Sequence, residues 1–393
     1  MADFFERSLE LHKRSNGKIA VHSKVPLVTI DDLSLAYTPG VAEPCKVIAD
    51  HPEKARELTI KGNTVAVVTD GSAVLGLGNI GPLAALPVME GKALLFKEFA
   101  GIDAFPICLD TQDVDEIVET IRRIAPVFGG INLEDISSPR CFEVEERLQN
   151  LGIPVFHDDQ HGTAIVLLAG LINACKVTGR KMEDLKIAIN GSGAAGIAIA
   201  KMLRCINFDP SVCIPVEDVI LCDSRGAISR DRTDLNPVKE ELLNFTNKNN
   251  VQGDIKDVIK GVDVFIGVSV GGLLNTEDIR RMAPDPIVFA MANPIPEIMP
   301  EEAYKANAAV VGTGRSDFPN QVNNVLAFPG IFHGALRAGA TRITSKMKLA
   351  AAYALADCVD QPRKEKIIPL SLNKSVVGKV SDAVVAATAM TSQ

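Results

Sequence analysis

The segment Lys186–Gly196, with the sequence KIAINGSGAAG, decides the fold of the second half of this chain. A short apolar strand, Ile187–Asn190, runs directly into three glycines with G-x-G-x-x-G spacing, and a helical pattern follows. Gly191 allows a tight turn, Gly193 lets the backbone approach a pyrophosphate, and Gly196 lets helix and strand pack closely. The free N–H groups at the helix start would hold the pyrophosphate. The alternative is a close-packed turn without a ligand. The predicted dinucleotide-binding residues are Gly191, Ser192, Gly193, Ala194, Ala195 and Gly196.

Short apolar strands alternate with helical patterns on both sides of this segment, which predicts mostly parallel sheets. The predicted strands are Thr64–Thr69, Phe105–Leu109, Ile131–Leu133, Pro154–Phe156, Ile187–Asn190, Val219–Cys222, Val264–Val268, Ile287–Ala290 and Ala309–Val311. We therefore predict an α/β protein with two domains. Residues 1–160 would form an α/β domain for substrate and metal, and residues 161–393 a doubly wound, Rossmann-type dinucleotide-binding domain. The boundary lies near a long helix predicted at His161–Val177, and the pattern leaves the place of the helical stretch after Ile343 open.

Composition excludes several classes of protein. The 41 Lys and Arg against 49 Asp and Glu give a net charge of −8, which argues against nucleic acid or an anionic membrane as partner. The longest apolar run, Thr163–Cys175, is shorter than the roughly 20 residues that span a bilayer, and the charged start predicts no signal peptide. Eight cysteines without a Cys-x-x-Cys pair predict reduced thiols and a cytoplasmic location.

Two acidic pairs follow two neighbouring strands of the first predicted sheet. Glu134 and Asp135 come directly after the third strand, and Asp158 and Asp159 follow shortly after the fourth. Ligands of open α/β sheets bind beyond the carboxyl ends of the strands, so these carboxylates are expected to converge. A divalent cation would relieve their repulsion, and oxygen ligands favour Mg²⁺ or Mn²⁺. The alternative is that Asp158 and Asp159 cap the following helix.

A zinc site is a competing interpretation of the same segment. His157 and His161 in HDDQH have the i, i+4 spacing of the H-E-x-x-H zinc motif. That motif requires both histidines within one helix, whereas here the first follows a strand after Pro154.

Four further residues carry weak signals when taken singly. Lys92 lies beside an apolar stretch, where burial lowers a lysine pKa and a nearby anion raises it. Tyr37 lies in the turn-rich segment AYTPGVAEPC. Asn293 and Asn324 could orient a carboxylate or a carboxamide, although each alone is typical of a turn.

Cofactor choice depends on the end of the second strand of the second domain. Asp223 lies 27 residues after Gly196, and a loop over residues 205–216 explains why this exceeds the usual spacing of about 20. Its carboxylate would accept hydrogen bonds from the ribose hydroxyls of NAD. Ser224 and Arg225 follow at once, and they suit the 2′-phosphate of NADP. We predict NADP over NAD, because arginine gains a bidentate contact while an exposed aspartate can rotate into solvent.

Taken together, eight segments between about residues 18 and 335 resemble malic enzymes of the short form, which lack an acetyltransferase-like extension. The segments are AYTPGVAEPC (36–45), VVTDGSAVLGLGNIGP (67–82), GKALLFKEFAGIDAFPICLD (91–110), INLEDI (131–136), VFHDDQHGTAIV (155–166), INGSGAAG (189–196), ANPIPEI (292–298) and NNVLAFPGIF (323–332).

The resemblance implies a role for each residue. It makes Tyr37 and Lys92 the catalytic pair and Asp158 a neighbour of the metal ligands. It also implies that the helices from about residue 335 pack back onto the first domain and that the protein is a homodimer or larger. Ala73 stands where larger members carry an arginine for a substrate carboxylate, which leaves the distal carboxylate to the Thr38–Gly40 backbone or Asn324. The implied metal ligands are Glu134, Asp135 and Asp159, and the implied substrate and cofactor contacts are Lys92, Asn293 and Asn324.

The implied reaction is oxidative decarboxylation of L-malate to pyruvate and CO₂, with NADP or NAD and Mg²⁺ or Mn²⁺. The metal would polarise the C2 oxygen, Lys92 would take the hydroxyl proton and Tyr37 would protonate the enolate. Three alternatives stay open: a metal-independent hydroxy-acid dehydrogenase, a zinc hydrolase and a non-catalytic dinucleotide sensor.

Overall fold

The first of two parallel sheets lies in the N-terminal half of the computed structural model, which describes residues 2–389. Its strand order is β2-β1-β3-β4, and all three pairings are parallel. The strands are β1 (Thr64–Thr69), β2 (Asp103–Cys108), β3 (Gly130–Leu133) and β4 (Val155–His157). Every residue of β1 is buried, as expected for an inner strand covered on both faces. The four strands predicted from the sequence are therefore present: β1 has the predicted bounds, and the ends of the other three differ from the prediction by at most two residues.

The second sheet has the order β10-β9-β8-β5-β6-β7. Its strands are β5 (Lys186–Asn190), β6 (Asp218–Asp223), β7 (Gly226–Ala227), β8 (Val264–Gly267), β9 (Ile287–Ala290) and β10 (Val310–Thr313). The chain runs from β5 to β6 on one side and returns to β8 on the other, so the sheet is doubly wound and a crevice opens above β5. The predicted fold class is confirmed. The antiparallel β7 was not predicted, because a two-residue strand leaves no pattern.

Sixteen α-helices surround the sheets within the described residues. They are α1 (Ala2–Ser15), α2 (Ile30–Ala36), α3 (Ala42–Asp50), α4 (Ala55–Leu58), α5 (Pro82–Ala100), α6 (Val114–Ile124), α7 (Arg140–Leu148), α8 (Asp158–Thr178), α9 (Ala194–Leu203), α10 (Pro237–Leu242), α11 (Ile255–Val258), α12 (Thr276–Arg280), α13 (Pro300–Lys305), α14 (Phe328–Arg337), α15 (Ser345–Ala356) and α16 (Ser375–Ala389).

The helix α8 joins the two sheets. By length and composition its 21 residues could cross a membrane, but 67% of its most apolar stretch is buried inside the protein. The helix ends at Gly179, which adopts a left-handed backbone (φ 68°). Helices often end at a glycine in this conformation, because glycine has no side chain that would clash there. We therefore describe α8 as the central core helix. It begins three residues before the predicted start, so Asp158 and Asp159 lie in its first turn.

The C-terminal helices pack against the first sheet's α5 as well as against α8. Phe328 of α14 stacks edge-on against Phe96 of α5, with ring centroids 4.7 Å apart. A Cβ at Gly330 would lie 2.7 Å from Val380 Cβ, so the absence of a side chain lets α14 and α16 approach closely. The side of α5 next to Phe96 carries Lys92, which this packing holds in place.

One expectation about the cysteines is wrong. Cys205 and Cys213 form a disulfide, although reduced thiols were expected throughout. The loop after α9 folds back on itself and brings the two residues together. A spacing of eight residues does not by itself predict this contact. The other six cysteines are free. The cytoplasmic location stays a prediction.

Candidate active site

The two acidic pairs meet at one edge of the first sheet. β3 and β4 are parallel neighbours with Leu133 opposite His157, so the residues that follow them lie side by side. The Asp135 N–H donates to Asp159 Oδ2 at 2.8 Å. One oxygen from each of Glu134, Asp135 and Asp159 lies within 4.8 Å of the others. The predicted convergence of carboxylates is therefore present.

The buried carboxylates of this cluster repel one another, and a bound cation would relieve that repulsion. Burial raises the pKa of Asp135 to about 9, and the carboxylates of Asp159 and Glu134 act in the same direction. Burial also raises the pKa of Glu134 and of Asp159. Asp135 Oδ2 is buried without a hydrogen-bond partner. An all-oxygen set with an unpartnered buried oxygen fits Mg²⁺ or Mn²⁺, so these three residues are suited to hold the expected metal.

Lys92 reaches this cluster from α5. Its Nζ lies 2.5 Å from Asp158 Oδ2 and 2.8 Å from Glu134 Oε1, and its side chain is 7% exposed. Burial lowers the pKa of Lys92, but Asp158 and Glu134 outweigh this effect and hold it above its ordinary value. Asp158 therefore faces the lysine rather than the ligand cluster. The capping alternative is not supported, because the helix cap is His157 and no side-chain oxygen caps α8.

The two histidines of HDDQH, His157 and His161, are not arranged to bind one metal ion together. His161 Nε2 lies 2.9 Å from Glu145 Oε2 on α7, a buried carboxylate that also accepts from the His157 N–H and from Gln160 Nε2. Burial raises the pKa of Glu145, but His161, together with Lys348 and His157, outweighs this effect and lowers that pKa to about 2. The geometry therefore does not support the zinc interpretation. Sequence reasoning missed Glu145, which no spacing connects to α8.

The glycine-rich turn has the geometry that the sequence predicted. Gly191 has φ +120°, and a Cβ there would meet Val268 at 2.9 Å. A Cβ at Gly196 would lie 1.8 Å from Gly191 O, so only glycine lets α9 pack here. A Cβ at Gly193 would meet no atom within 4 Å, which leaves open space over the turn. No side chain caps the N-terminus of α9, and its N–H groups suit a pyrophosphate.

The surroundings of Asp223 differ from the expectation. Its carboxylate accepts from Arg232 Nη1 at 2.7 Å and from Lys239 Nζ at 2.6 Å, and its side chain is only 11% exposed. The idea that Asp223 rotates into solvent is therefore wrong. Burial raises the pKa of Asp223, but Arg232 and Lys239 outweigh it and lower that pKa to about 2. Arg225 donates to Asp234 at 2.9 Å, and Ser224 is exposed beside it.

One cleft of about 880 Å³ connects the carboxylate cluster with the dinucleotide turn. The predicted residues Lys92, Asn293, Asn324 and Ala195 line it, and so do three of the four carboxylates. Asn323, which the sequence indicated only as the neighbour of Asn324, lines it too. The remaining polar or charged lining residues, which the sequence did not single out, are Ser8, His12, Lys18, Thr163 and Ser269. The one weak sequence signal near Lys18 is the preceding Asn16-Gly17, a typical turn pair, and both residues have a positive φ.

Tyr37 is the predicted catalytic residue that does not reach this cleft. Tyr37 follows α2 and is 67% exposed. It is not among the residues that line the cleft. Pro39 and Gly40 lie next to it in the same protruding segment, so the Thr38–Gly40 backbone does not line the cleft either. Within one copy of the chain, Tyr37 and Lys92 are not brought together.

Comparison with known proteins identifies the family. The family model "Malic enzyme, N-terminal domain" matches residues 16–149, and "Malic enzyme, NAD binding domain" matches residues 160–391. The chain belongs to the malic enzyme family. It accordingly carries out the oxidative decarboxylation of malate to pyruvate and CO₂ with reduction of NAD(P)⁺.

Individual relatives agree with this assignment. A bifunctional malic/malolactic enzyme of Bacillus subtilis is 58% identical over 96% of this chain and 92% of its own length. An NADP-dependent malic enzyme of Halomonas elongata is 46% identical over 96% of this chain and 92% of its own. The crystal structure of an NAD-dependent malic enzyme of Thermotoga maritima has a TM-score of 0.91 at 48% identity, covering 96% of this chain and 98% of that one.

Proposed function

We propose that Lys92 is the base of the malate reaction and that Glu134, Asp135 and Asp159 hold its divalent metal. The observation that carries this proposal is the 2.8 Å contact between Lys92 Nζ and Glu134 Oε1, which puts a buried ammonium against the ligand cluster. When bound, Mg²⁺ or Mn²⁺ would lower the pKa of the malate C2 hydroxyl and stabilise the negative charge left by CO₂ loss.

Lys92 takes the proton of the C2 hydroxyl as hydride leaves C2 for the nicotinamide. To act as a base, the lysine must first pass its own proton on. Asp158 Oδ2 lies 2.5 Å away, and burial raises the pKa of this carboxyl, which makes it a better proton acceptor than an exposed aspartate. Asp158 thus acts through Lys92, and the packing of Phe328 over the ammonium at 4.2 Å keeps water from the pair.

The nicotinamide cofactor lies along the turn Gly191–Gly196, with its pyrophosphate on the N–H groups of α9. Asn293, at the mouth of the cleft after β9, contacts substrate and cofactor, and Asn324 faces the substrate. At the adenosine ribose, Arg232 and Lys239 neutralise Asp223, so this carboxylate no longer opposes a 2′-phosphate. Arg225 then supports NADP, with NAD as the alternative cofactor.

We infer that the protein works as a dimer in which Tyr37 of a second copy completes each site. Neither α2 nor α3 buries a residue. Ten large apolar side chains between residues 19 and 41 are exposed, among them Val28 at 86% and Ile30 at 78%. So many exposed apolar side chains in one segment of the chain are typical of a protein interface. A second copy is the occupant that also brings the missing acid to the cleft.

A product assay tests this function. Purified protein is incubated with L-malate, Mn²⁺ and either NAD⁺ or NADP⁺, and CO₂, pyruvate, lactate and reduced cofactor are measured together. We expect equal amounts of CO₂, pyruvate and NAD(P)H. Oxaloacetate without CO₂ would indicate a simple dehydrogenase. Lactate with CO₂ would indicate the malolactic reaction, which the name of the Bacillus subtilis relative makes worth measuring.

A further inference from the structure

The distal carboxylate of malate lacks an obvious partner in this chain. Ala73 lines the cleft at a position where a cationic side chain could bind a substrate carboxylate, but its methyl group cannot do so. Within residues 2–389, the lysines and arginines that line the cleft are Lys18 and Lys92. Asp158 and Glu134 already neutralise Lys92, so its charge is not available to a second anion.

Lys18 is placed close to Lys92 by α5. An added Cβ on Gly91 would lie 3.5 Å from Lys18 Nζ. The Lys18 ammonium therefore lies next to Gly91, the residue that precedes Lys92. Because Gly91 has no side chain, the space between the two lysines stays open to a ligand. The Lys18 ammonium donates to the Pro87 carbonyl at 2.5 Å. An ammonium has three donors, so two remain for a carboxylate.

The loop that carries Lys18 is anchored by its backbone. The Lys18 N–H donates to Glu90 Oε2 at 3.1 Å, and the same carboxylate lies against Gly17. Glu90 thereby fixes the loop. Burial lowers the pKa of Lys18, and the nearby Glu90 offsets this only in part. A second carboxylate at the ammonium would replace the lost hydration of the charged form.

We infer that Lys18 binds the C4 carboxylate of malate and so selects a dicarboxylate over a 2-hydroxy monocarboxylate. This inference rests on the proposed function, which places C1 and C2 at the carboxylate cluster. His12 also lines the cleft, and its Nε2 is buried without a hydrogen-bond partner. Because its Nδ1 pairs with the Ser8 carbonyl, the neutral imidazole carries its proton on Nδ1, and Nε2 has none to donate to a carboxylate. Asn293 and Asn324 are neutral, and they orient a carboxylate without balancing its charge.

The chemistry predicts a particular kinetic signature. The C4 carboxylate keeps its charge during hydride transfer and leaves as CO₂ only in the next step, so its contact with Lys18 is about equally strong in the bound substrate and in the transition state for hydride transfer. An interaction of this kind holds the substrate without speeding the chemical step. Losing it should therefore raise KM for malate and leave kcat nearly unchanged.

The test compares Lys18→Met, Lys18→Arg and the control Lys97→Met, an exposed lysine of α5 outside the cleft lining. KM and kcat for malate are measured with saturating Mn²⁺ and cofactor, together with inhibition by oxalate. Oxalate mimics C1 and C2 of the enolate and has no distal carboxylate. For Lys18→Met we expect a KM higher by about 10- to 100-fold, the usual range for a hydrogen bond to a charged group, with kcat within about threefold and oxalate inhibition within about twofold. Lys18→Arg should recover part of the KM, and Lys97→Met should match wild type.

Two results would overturn the inference alone: a malate KM within about threefold of wild type in Lys18→Met, or oxalate inhibition that weakens as much as malate binding. The second result would mean that the substitution damages the metal end of the cleft. A wild-type chain that does not turn over malate would overturn the proposed function, and this inference with it.

Discussion

Lys92 Nζ and Asp158 Oδ2 lie 2.5 Å apart, although 66 residues separate them in the chain. One stands on α5, beside the first sheet, and the other in the first turn of the helix that joins the two sheets. Phe96, one turn after Lys92, packs on Phe328 of α14, so the C-terminal helices fix the α5 side of the pair. The position of the proposed base, Lys92, thus depends on three distant parts of the chain.

Lys92→Ala should lower kcat for malate by about 10²–10⁴, the usual effect of losing a general acid or base. The matched control is Lys97→Ala on the exposed side of the same helix, which should keep wild-type kcat. Mn²⁺ binding by the Lys92→Ala protein is measured separately, so that loss of the metal is not mistaken for loss of the base. Malate turnover within tenfold of wild type would falsify the assignment of Lys92.

Asp159→Ala should weaken Mn²⁺ binding by at least about 100-fold, because loss of a direct ligand costs more than the 10- to 100-fold typical of outer-shell partners. Calorimetric or spin-resonance titration measures this without turnover. Cofactor binding should survive, since the turn Gly191–Gly196 belongs to the other sheet. If the variant binds Mn²⁺ as wild type does, Asp159 is not a ligand.

Metal binding should tighten as pH rises from 6 to 8. Burial raises the pKa of Asp135 to about 9 in the metal-free protein, so this carboxyl carries its proton at neutral pH. A metal binds the deprotonated form and must release that proton. Calorimetry in two buffers with different ionisation enthalpies measures the protons released. An affinity independent of pH over this range, with no proton release, would contradict the raised pKa.

The sheets could be predicted because each inner strand is a short run of apolar residues that is buried on both faces, as in β1 and β8. The carboxylates could be predicted for a related reason, since parallel strands place the residues that follow them at one edge. The glycine turn was also readable, because Gly191 and Gly196 each meet a steric demand that other residues cannot satisfy.

Tertiary contacts of exposed or polar residues could not be predicted in the same way. The partners of Asp223 are Arg232 and Lys239, nine and sixteen residues on, and no periodicity links them to a strand end. Lys18 reaches the cleft only because the turn at Gly17 and the Glu90 carboxylate hold its loop. The position of Tyr37 could not be predicted either, because it follows α2, a helix none of whose residues is buried in the core.

Arg225→Ala should reduce kcat/KM for NADP by about tenfold and leave NAD nearly unchanged. The residue is exposed, so its contact with a 2′-phosphate falls at the lower end of the range for charged hydrogen bonds, about 1.5 kcal/mol. Arg230→Ala, on the neighbouring loop, is the control. Equal losses for both cofactors would mean that Arg225 only pairs with Asp234, and the preference for NADP would no longer have support.

Tyr37→Phe should impair protonation of the enolate, which follows hydride transfer. The variant should still form some NAD(P)H from malate but fail to convert enolpyruvate to pyruvate. Solvent deuterium incorporation at C3 of pyruvate measures this step. Unchanged incorporation would reject Tyr37 as the acid, whichever copy supplies it.

Mixed dimers decide which copy supplies Tyr37. A Lys92→Ala subunit and a Tyr37→Phe subunit, each strongly impaired in pyruvate formation as a homodimer, are co-expressed with different tags, and pyruvate formation by the purified mixed dimer is measured. If Tyr37 acts across the interface, one of the two sites joins an intact Lys92 to an intact Tyr37, and about half of wild-type activity returns. If it acts within its own chain, both sites stay defective. The reciprocal pair, a wild-type subunit with a Lys92→Ala/Tyr37→Phe subunit, must then show the opposite pattern, with no activity for action across the interface and about half for action within one chain. Activity in the second mixed dimer and none in the first would rule out the shared site.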